Sequence, residues 1–345
     1  MNRGPNNPIG PKGVMRNLIT DVAGVSVGNA HNEALASGVT VAVFDEPAVA
    51  SIAIHGGAPG VCDTALLEPE ASVECVDAFV LSGGSAFGLC ASSGVLAHLR
   101  KIGRGFAVGD VRVPIAPGAV IFDLAQGRGA QWEGIPPWWN LGYQAASSAS
   151  AQFDLGTAGA GYGATTANLK GGLGSASATT PTGFAVGGLV AVNAVGSVLI
   201  GDGPHFWAGS DECAGEFGGL GWPAVVDQGM LDIPLKGDGN ARANTTVAII
   251  ATDAKLTKSQ ARRVAIMAHD GVARAIRPSH APMDGDLVFV AATGKANRAP
   301  DLRQLSDIGF VAARCLARAI ARAIYEATAL PFTGALPAYR DRFLR

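Results

Sequence analysis

The hydrophobic pattern of this 345-residue chain consists of short apolar runs rich in β-branched residues, each bounded by glycine, proline or polar residues. Short runs of this kind are typical of buried or half-buried β-strands. The pattern predicts strands at Gly24–Gly28, Gly38–Phe44, Val49–Ile54, Ala78–Leu81, Val113–Asp123, Phe184–Asn193, Gly196–Ile200, Thr245–Ile250 and Leu287–Ala292.

Longer segments with a helical spacing of apolar residues predict three helices. The first covers Ala86–Leu99, and the second begins at the capping box Thr257–Gln260 and ends at Ile276. The third is an amphipathic helix over Leu302–Ala327. Strands followed by helices in both parts of the chain predict two packed sheets that are covered by helices.

The composition narrows the class of protein. Apolar residues make up 48% of the chain and charged residues 16%, with a net charge of -2. A charge so close to zero argues against nucleic acid or an anionic membrane as a partner, and so few charges predict an oligomer. The segment Met1–Asn17 has no apolar run of signal-peptide length, and no stretch is long and apolar enough to span a membrane, so we expect a cytoplasmic protein. Five cysteines without a CxxC pair argue against a zinc site or a disulfide framework.

The strand at Thr245 follows a polar loop, Lys236–Ala243, and opens with Asn244-Thr245-Thr246. Threonine is common at the start of a strand, and the triplet also matches a glycosylation acceptor, which would require secretion. A third interpretation is chemical. Cleavage before Thr245 would place a hydroxyl nucleophile and a free α-amine on one residue. An α-amine with a pKa of about 7.7 to 8 can accept the hydroxyl proton near neutral pH.

Other segments allow both a structural and a chemical interpretation. Ser85 lies in a glycine turn between a strand and a helix, and is either an N-cap or part of an oxyanion-binding or nucleophilic turn, although no Gly-x-Ser-x-Gly elbow is present. The glycine-rich segment Gly156–Gly174 lacks the preceding strand and the acidic residue of a dinucleotide fingerprint, so we interpret it as a flexible loop carrying one cation, Lys170. Asn193 is either a turn former or an oxyanion donor.

A tryptophan cluster, Trp132, Trp138 and Trp139, stands out in a chain that is otherwise poor in aromatic residues. Such a cluster lines a substrate pocket or fills a subunit contact.

Several motifs in a fixed order resemble one known family: the peptidases and amidases typified by L-aminopeptidase/D-esterase, the β-aminopeptidases and the nylon-oligomer endohydrolase. The resemblance covers most of the chain. The motifs are Asn17–Val25, His55–Gly60, Leu81–Gly88, Val113–Ile115, Ala119–Asp123, Lys170–Gly174, Asn244–Thr246 and Asp284–Asp286.

The resemblance implies an α+β fold, a four-layer αββα sandwich of the type shared by the self-cleaving aminopeptidases and the ornithine acetyltransferases. It implies self-cleavage between Asn244 and Thr245 into fragments 1–244 and 245–345, which together form one catalytic domain, and a homotetramer of cleaved protomers. The matching site residues are the nucleophile Thr245, the oxyanion-stabilising Asn193, the nearby Lys170, and the paired Asp284 and Asp286.

The acidic pair distinguishes branches of that family. Asp284 and Asp286 alternate with a glycine, so in an extended segment their side chains share a face and can converge on one amine. The aminopeptidase branch has a serine nucleophile and a Ser-x-Glu pair instead, so this chain follows the threonine branch. We therefore expect hydrolysis of a peptide or small-molecule amide through an acyl-enzyme, without metal or cofactor. An acyltransferase of the ornithine acetyltransferase type and a non-catalytic protein that keeps the fold remain alternatives.

Overall fold

The computed structural model describes residues 15–126, 131–231, 235–236 and 244–344. Its strands are β1 Val25–Asn32, β2 Ser37–Ile54, β3 Val61–Cys62, β4 Cys75–Ser82, β5 Phe106–Val108, β6 Val111–Val113, β7 Gly118–Val120, β8 Gly172–Thr179, β9 Ala185–Asn193, β10 Thr245–Thr252 and β11 Leu287–Ala292. Its helices are α1 Ala91–Lys101, α2 Trp138–Ser147, α3 Lys258–Ala275, α4 Leu302–Tyr325 and α5 Tyr339–Phe343.

The long strand β2 belongs to two sheet layers. Its first half pairs with β1 and β4, and after an irregularity between Val43 and Ala48 its second half pairs with β11. The hydrogen-bonded order is β3-β7-β4-β2-β11-β10-β9-β8, with β1 on β2, while β5 and β6 form a separate hairpin. One strand therefore connects the β1-β2-β4-β7 layer to the β2-β11-β10-β9-β8 layer.

Three buried apolar clusters separate four layers. Val95 of α1 and Trp138 of α2 share one cluster with the first sheet. A second cluster lies between the sheets, and a third lies between the second sheet and helices α3 and α4. Alternate residues of β10 enter the last two clusters, Val247 and Ile249 the inner one and Ala248 the one under the helices. A strand that is buried on both faces accounts for its continuous apolar run, and the αββα sandwich confirms the predicted fold class.

Local sequence explains where both long helices of this layer begin. Helix α3 begins at the capping box of Thr257 and Gln260, as predicted, and α4 begins at a second capping box between Asp301 and Gln304.

Strand β8 consists mainly of glycine, alanine and serine because α4 packs directly on it. A Cβ added at Gly174 would lie 1.9 Å from the Ala319 carbonyl oxygen.

Several predicted elements were wrong. The segment Gly156–Gly174 is not wholly a loop, since β8 begins at Gly172, and its helix-facing small residues hid the strand pattern. Gly196–Ile200 forms only isolated bridges. Pro114 and Pro117 interrupt the segment Val113–Asp123, so only Val113 and Gly118–Val120 lie in strands. The first helix begins at Ala91, after a 3₁₀ turn over Ser85–Cys90.

Two sequence segments lie partly outside the described residues. These are residues 1–14 of the N-terminal segment and residues 237–243 of the polar loop before Asn244. Among the described residues, no helix combines the length and the apolarity needed to cross a membrane.

Candidate active site

The start of β10, the end of β9 and the Asp-Gly-Asp segment before β11 lie side by side at the same end of these neighbouring strands. Strand β9 is antiparallel to β10, and its last residue, Asn193, lies opposite Thr245. Strand β11 is parallel to β10, so the residues that precede both strands lie side by side, and Asn244 forms a bridge with Asp284. Residues far apart in sequence are therefore brought together around the Asn244–Thr245 peptide bond.

The carbonyl oxygen of Asn244 accepts hydrogen bonds from two groups of the described residues. The hydroxyl of Thr245 donates one of them, and the backbone amide of Gly285 donates the other at 2.9 Å. Thr245 is 5% exposed, so little water competes for these contacts. Two donors on one oxygen draw electron density from the carbonyl carbon and make it more electrophilic.

Asp286 holds the backbone at the start of β10. Its Oδ1 accepts the Thr246 amide at 2.7 Å, and its Oδ2 accepts both the backbone amide of His280 at 3.0 Å and the His280 ring at 2.9 Å. The ring atom is Nδ1, and it must be the donor because a carboxylate oxygen accepts. The carboxylate is thus held by three donors and fixes the backbone immediately after Thr245.

Asp284 lies beside Asp286 and is buried. Its Oδ2 accepts the Ala281 amide at 3.1 Å. Burial first, and then the negative charge of Asp286, raise the pKa of Asp284 to about 6. Asp286 accepts the amide of Thr246, and the convergence of the two carboxylates on the α-amine of Thr245 stays a prediction.

Asn193 is held in place by its whole amide group. Its Oδ1 accepts the Thr165 amide at 3.1 Å and the Lys236 ammonium at 2.9 Å, while its Nδ2 donates to the Phe122 carbonyl at 3.1 Å. Burial lowers the pKa of Lys236 to about 8. Sequence reasoning missed Lys236, because a lone lysine in a polar loop gives no periodic signal.

Lys170 is buried, yet it is directed to backbone carbonyls. Its Nζ donates to the carbonyl oxygens of Gly161, Ala164 and Gly171 at 2.9–3.0 Å, which uses all three of its protons. Burial lowers its pKa to about 7, opposed by the carboxylate of Asp123. In the described part of the chain, Lys170 makes no hydrogen bond to Thr245, so here it supports the glycine-rich segment.

A family model described as peptidase family S58 matches residues 17–335 of the chain. The chain belongs to peptidase family S58. A relative from Mycobacterium tuberculosis, named an uncharacterized aminopeptidase, is 42% identical over 349 residues, which cover 95% of this chain and 98% of the relative. A 6-aminohexanoate-oligomer endohydrolase from Kocuria is 27% identical over 279 residues, covering 79% of this chain and 74% of that protein. Membership confirms the resemblance and the predicted class of amide or peptide hydrolase.

Solved structures agree on the fold. The L-aminopeptidase D-Ala-esterase/amidase of Ochrobactrum anthropi, described as a variant of the N-terminal-nucleophile hydrolase fold, superposes with a TM-score of 0.70 at 20% identity, over 94% of this chain and 91% of that chain. A Burkholderia β-aminopeptidase gives a TM-score of 0.69 at 21% identity over the same shares of the two chains. The S58 chain therefore has the architecture of this hydrolase class.

A cavity of about 210 Å³ opens beside Thr245 in this S58 peptidase. Its described lining is mostly apolar and carries no charged side chain. The lining residues are Ala58, Pro59, Gly60, Ser85, Ala86, Leu89, Val120, Ile121, Phe122, Asn244, Thr245 and Met283. Such a volume is below the roughly 300–1,000 Å³ of pockets for drug-sized ligands, so the cavity accommodates a small uncharged group.

The Ser82–Ser85 turn shapes one wall of this cavity. Gly84 has a φ of +82°, and an added Cβ would lie 2.3 Å from the Trp138 ring, so both its conformation and its surroundings require glycine. The Gly84 amide donates to Asp123, whose pKa burial raises to about 6. Ser85 does not cap the helix, because Gly84 occupies the N-cap position and no side chain bonds there.

The tryptophan cluster belongs to the α2 layer. Trp138 is fully buried and donates from its Nε1 to Ser37 Oγ at 2.8 Å, and Trp132 packs edge-on against it. Neither these two nor Trp139 is among the described residues that line the cavity beside Thr245. The contacts therefore support a packing role for the cluster instead of a role in this pocket.

Proposed function

We propose that this S58 peptidase is a self-processing N-terminal-nucleophile hydrolase, cut between Asn244 and Thr245 into fragments 1–244 and 245–345. The observation that carries the proposal is the pair of hydrogen bonds on the Asn244 carbonyl oxygen, one from the Thr245 hydroxyl and one from the Gly285 amide. The nucleophile is thereby adjacent to the bond it would attack, and the Gly285 amide is adjacent to the oxygen on which negative charge would develop.

Self-cleavage proceeds by an N-to-O acyl shift. The Thr245 oxygen attacks the carbonyl carbon of Asn244, the carbonyl oxygen becomes an oxyanion held by the Gly285 amide, and the hydroxyl proton passes to the Thr245 nitrogen as the C–N bond breaks. The product is an ester between Asn244 and the Thr245 oxygen. Water then hydrolyses the ester, which leaves a carboxylate on Asn244 and a free α-amine and hydroxyl on Thr245.

The processed enzyme repeats this chemistry on a substrate amide. The α-amine of Thr245 takes the hydroxyl proton, the oxygen attacks the substrate carbonyl, and the proton passes to the leaving amine as the acyl-enzyme forms. Water releases the acid and restores Thr245. We assign the oxyanion contact to Asn193, whose amide is held at the end of the facing strand.

The remaining predicted residues support this centre. We assign Asp284 and Asp286 to orienting the new α-amine and the hydroxyl, supported by the hold of Asp286 on the Thr246 amide. We assign Lys170 an indirect role in positioning Asn193. Lys170 donates to the carbonyl oxygen of Ala164, and the amide of the same peptide bond, on Thr165, donates to Asn193.

Family membership favours hydrolysis over acyl transfer or a non-catalytic role. The relatives named aminopeptidase and oligomer endohydrolase share an amide bond as the group cleaved. The small, uncharged cavity lining beside Thr245 supports a compact apolar group next to the scissile bond. We therefore propose small peptides and amides as the substrate class.

Two neighbouring threonines provide the test. Thr245→Ala removes the proposed nucleophile, while Thr246→Val removes the hydroxyl next to it and keeps the side-chain shape and the backbone amide that Asp286 holds. We expect Thr245→Ala to be folded by circular dichroism, full length on a denaturing gel and inactive against chromogenic amino-acid amides. We expect Thr246→Val to be cleaved and active. Activity retained by Thr245→Ala would refute the proposal.

A further inference from the structure

We propose that His55, His269 and His280 form a binding site for a divalent transition-metal ion such as Zn²⁺. Three of the six histidines in the chain meet here from three different elements. His55 directly follows β2, His269 lies in α3, and His280 lies in the segment that leads to Asp284. One ring nitrogen from each residue lies within 4.8 Å of the others. This inference does not depend on self-cleavage.

The hydrogen bonds leave one ring nitrogen of His269 and one of His280 available. The Nε2 of His269 lies 3.0 Å from the Ala53 carbonyl oxygen, which only accepts, so this nitrogen carries the proton and Nδ1 keeps its lone pair. By the same reasoning His280 donates from Nδ1 to Asp286, which leaves the Nε2 lone pair. Metal-binding histidines characteristically donate their second ring nitrogen to a carboxylate or a backbone carbonyl, as both residues do here.

A buried lone pair indicates a missing partner. His269 is 2% exposed, and its Nδ1 has no hydrogen-bond partner among the described residues. A buried acceptor without a partner is unfavourable. A metal ion bound to this nitrogen would satisfy it, whereas ring stacking alone does not.

Metal binding requires the His55 ring to turn, because stacked rings direct their in-plane lone pairs roughly parallel. The His55 and His269 rings are stacked with centroids 3.7 Å apart, and the His280 ring stands edge-on to both. Ligand nitrogens at about 2.0–2.1 Å from a tetrahedral Zn²⁺ lie roughly 3.3 Å apart. His55 is exposed and can turn to close the difference. Its exposure also leaves a fourth position open to water, giving three imidazoles and one water as the ligand set.

The ligand chemistry selects the ion. Neutral imidazoles suit Zn²⁺, Co²⁺, Ni²⁺ and Cu²⁺, whereas Mg²⁺ and Ca²⁺ prefer oxygen ligands. A bound ion would join the end of β2, helix α3 and the segment that carries Asp286. It would therefore stabilise the part of the fold that holds the Thr246 amide.

The test uses tag-free protein that contains all of residues 1–345, cleaved or uncleaved, and that has been freed of metal with a chelator and dialysed. Isothermal titration with Zn²⁺, and the visible absorption of bound Co²⁺, report binding directly. His55→Ala removes the exposed ligand and His269→Gln the buried one, while His31→Ala removes an exposed histidine outside the cluster. Because His55 is at the surface, its variant keeps the test decisive if His269→Gln fails to fold.

We expect the wild type and His31→Ala to bind one equivalent of Zn²⁺, with a higher melting temperature in Zn²⁺ but not in Mg²⁺. We expect His55→Ala to bind at least about tenfold more weakly, in line with the effect of losing part of a metal site. The absence of saturable Zn²⁺ binding by the wild type would overturn the proposal. So would unchanged affinity in His55→Ala, which would place the ion on other residues.

Discussion

The backbone amide of Gly285 donates a 2.9 Å hydrogen bond to the carbonyl oxygen of Asn244. This contact joins the Asp-Gly-Asp segment to the residue before the proposed nucleophile. It also explains the glycine between the two aspartates, because a Cβ at this position would lie 2.8 Å from the Thr245 hydroxyl oxygen and 2.9 Å from the Ala58 carbonyl oxygen. The motif therefore delivers a backbone donor as well as two carboxylates.

Gly285→Ala should slow self-cleavage strongly, by about 10²-fold or more, because the added methyl group displaces the Thr245 hydroxyl and the amide donor together. The measurement is the time course of fragment appearance on denaturing gels after expression. Gly203→Ala is the matched control, since a Cβ there meets its nearest atom at 3.7 Å. Cleavage of Gly285→Ala at the rate of the control would contradict the role assigned to this amide.

Asp286→Asn should destabilise the protein by about 1–3 kcal/mol and slow cleavage. Asn can keep one acceptor for the Thr246 amide, but its NH₂ group would then face the two donors of His280. Urea unfolding and the cleavage time course are the readouts. Asp45→Asn, at an exposed position, provides the control. An Asp286→Asn variant as stable and as rapidly cleaved as the control would contradict the anchoring role.

Asn193→Asp tests the oxyanion donor with little change in shape. The aspartate keeps oxygens that can accept from Thr165 and Lys236, but it loses the NH₂ group and adds a negative charge near the proposed oxyanion. For the processed enzyme we expect kcat to fall by about 10²–10³-fold with a smaller change in KM. Steady-state kinetics on the cleaved fraction measure both constants, and an unchanged kcat would exclude Asn193 as the donor.

The stability of the uncleaved chain should depend on pH through Asp284. Its folded pKa of about 6 lies above the ordinary value of 3.8, so the folded state binds more protons than the unfolded state between these values. The contribution of Asp284 to stability is therefore greatest at low pH and falls as the pH rises from about 4 to 6.

Thermal melting of Thr245→Ala with and without Asp284→Asn, at several pH values, isolates this effect. We expect Asp284→Asn to raise the melting temperature at pH 7 relative to its effect at pH 4, because it removes a buried negative charge. An effect of Asp284→Asn that is the same at both pH values would show that Asp284 titrates normally.

Local sequence patterns predicted those strands and helices whose buried residues or caps leave a clear signal in the sequence. The apolar run of β10 and the capping box at Thr257 identified a strand and a helix start correctly, since both signals are local. The four-layer arrangement was predicted from the resemblance to the family, which rests on the order of its motifs. Strand β8 escaped prediction because contact with α4 demands small residues at Gly172 and Gly174, and these carry no hydrophobic alternation.

The site was predictable only in part, because its side chains are aligned by strand register. Thr245, Asn193 and Asp286 were expected from their motifs, and they lie at one sheet edge. The partnership of Lys236 with Asn193 depends on a loop path that has no sequence signature. The meeting of His55, His269 and His280 likewise arises from the packing of a strand end, a helix and a loop.

Intact mass spectrometry of purified, denatured wild-type protein, with N-terminal sequencing of the smaller species, tests the central claim most directly. We expect two fragments whose masses sum to the full chain plus one water, with the smaller fragment beginning at Thr245. A single chain that stays whole on prolonged incubation would contradict the account, because Thr245 would then keep its amide and could not act as an N-terminal nucleophile.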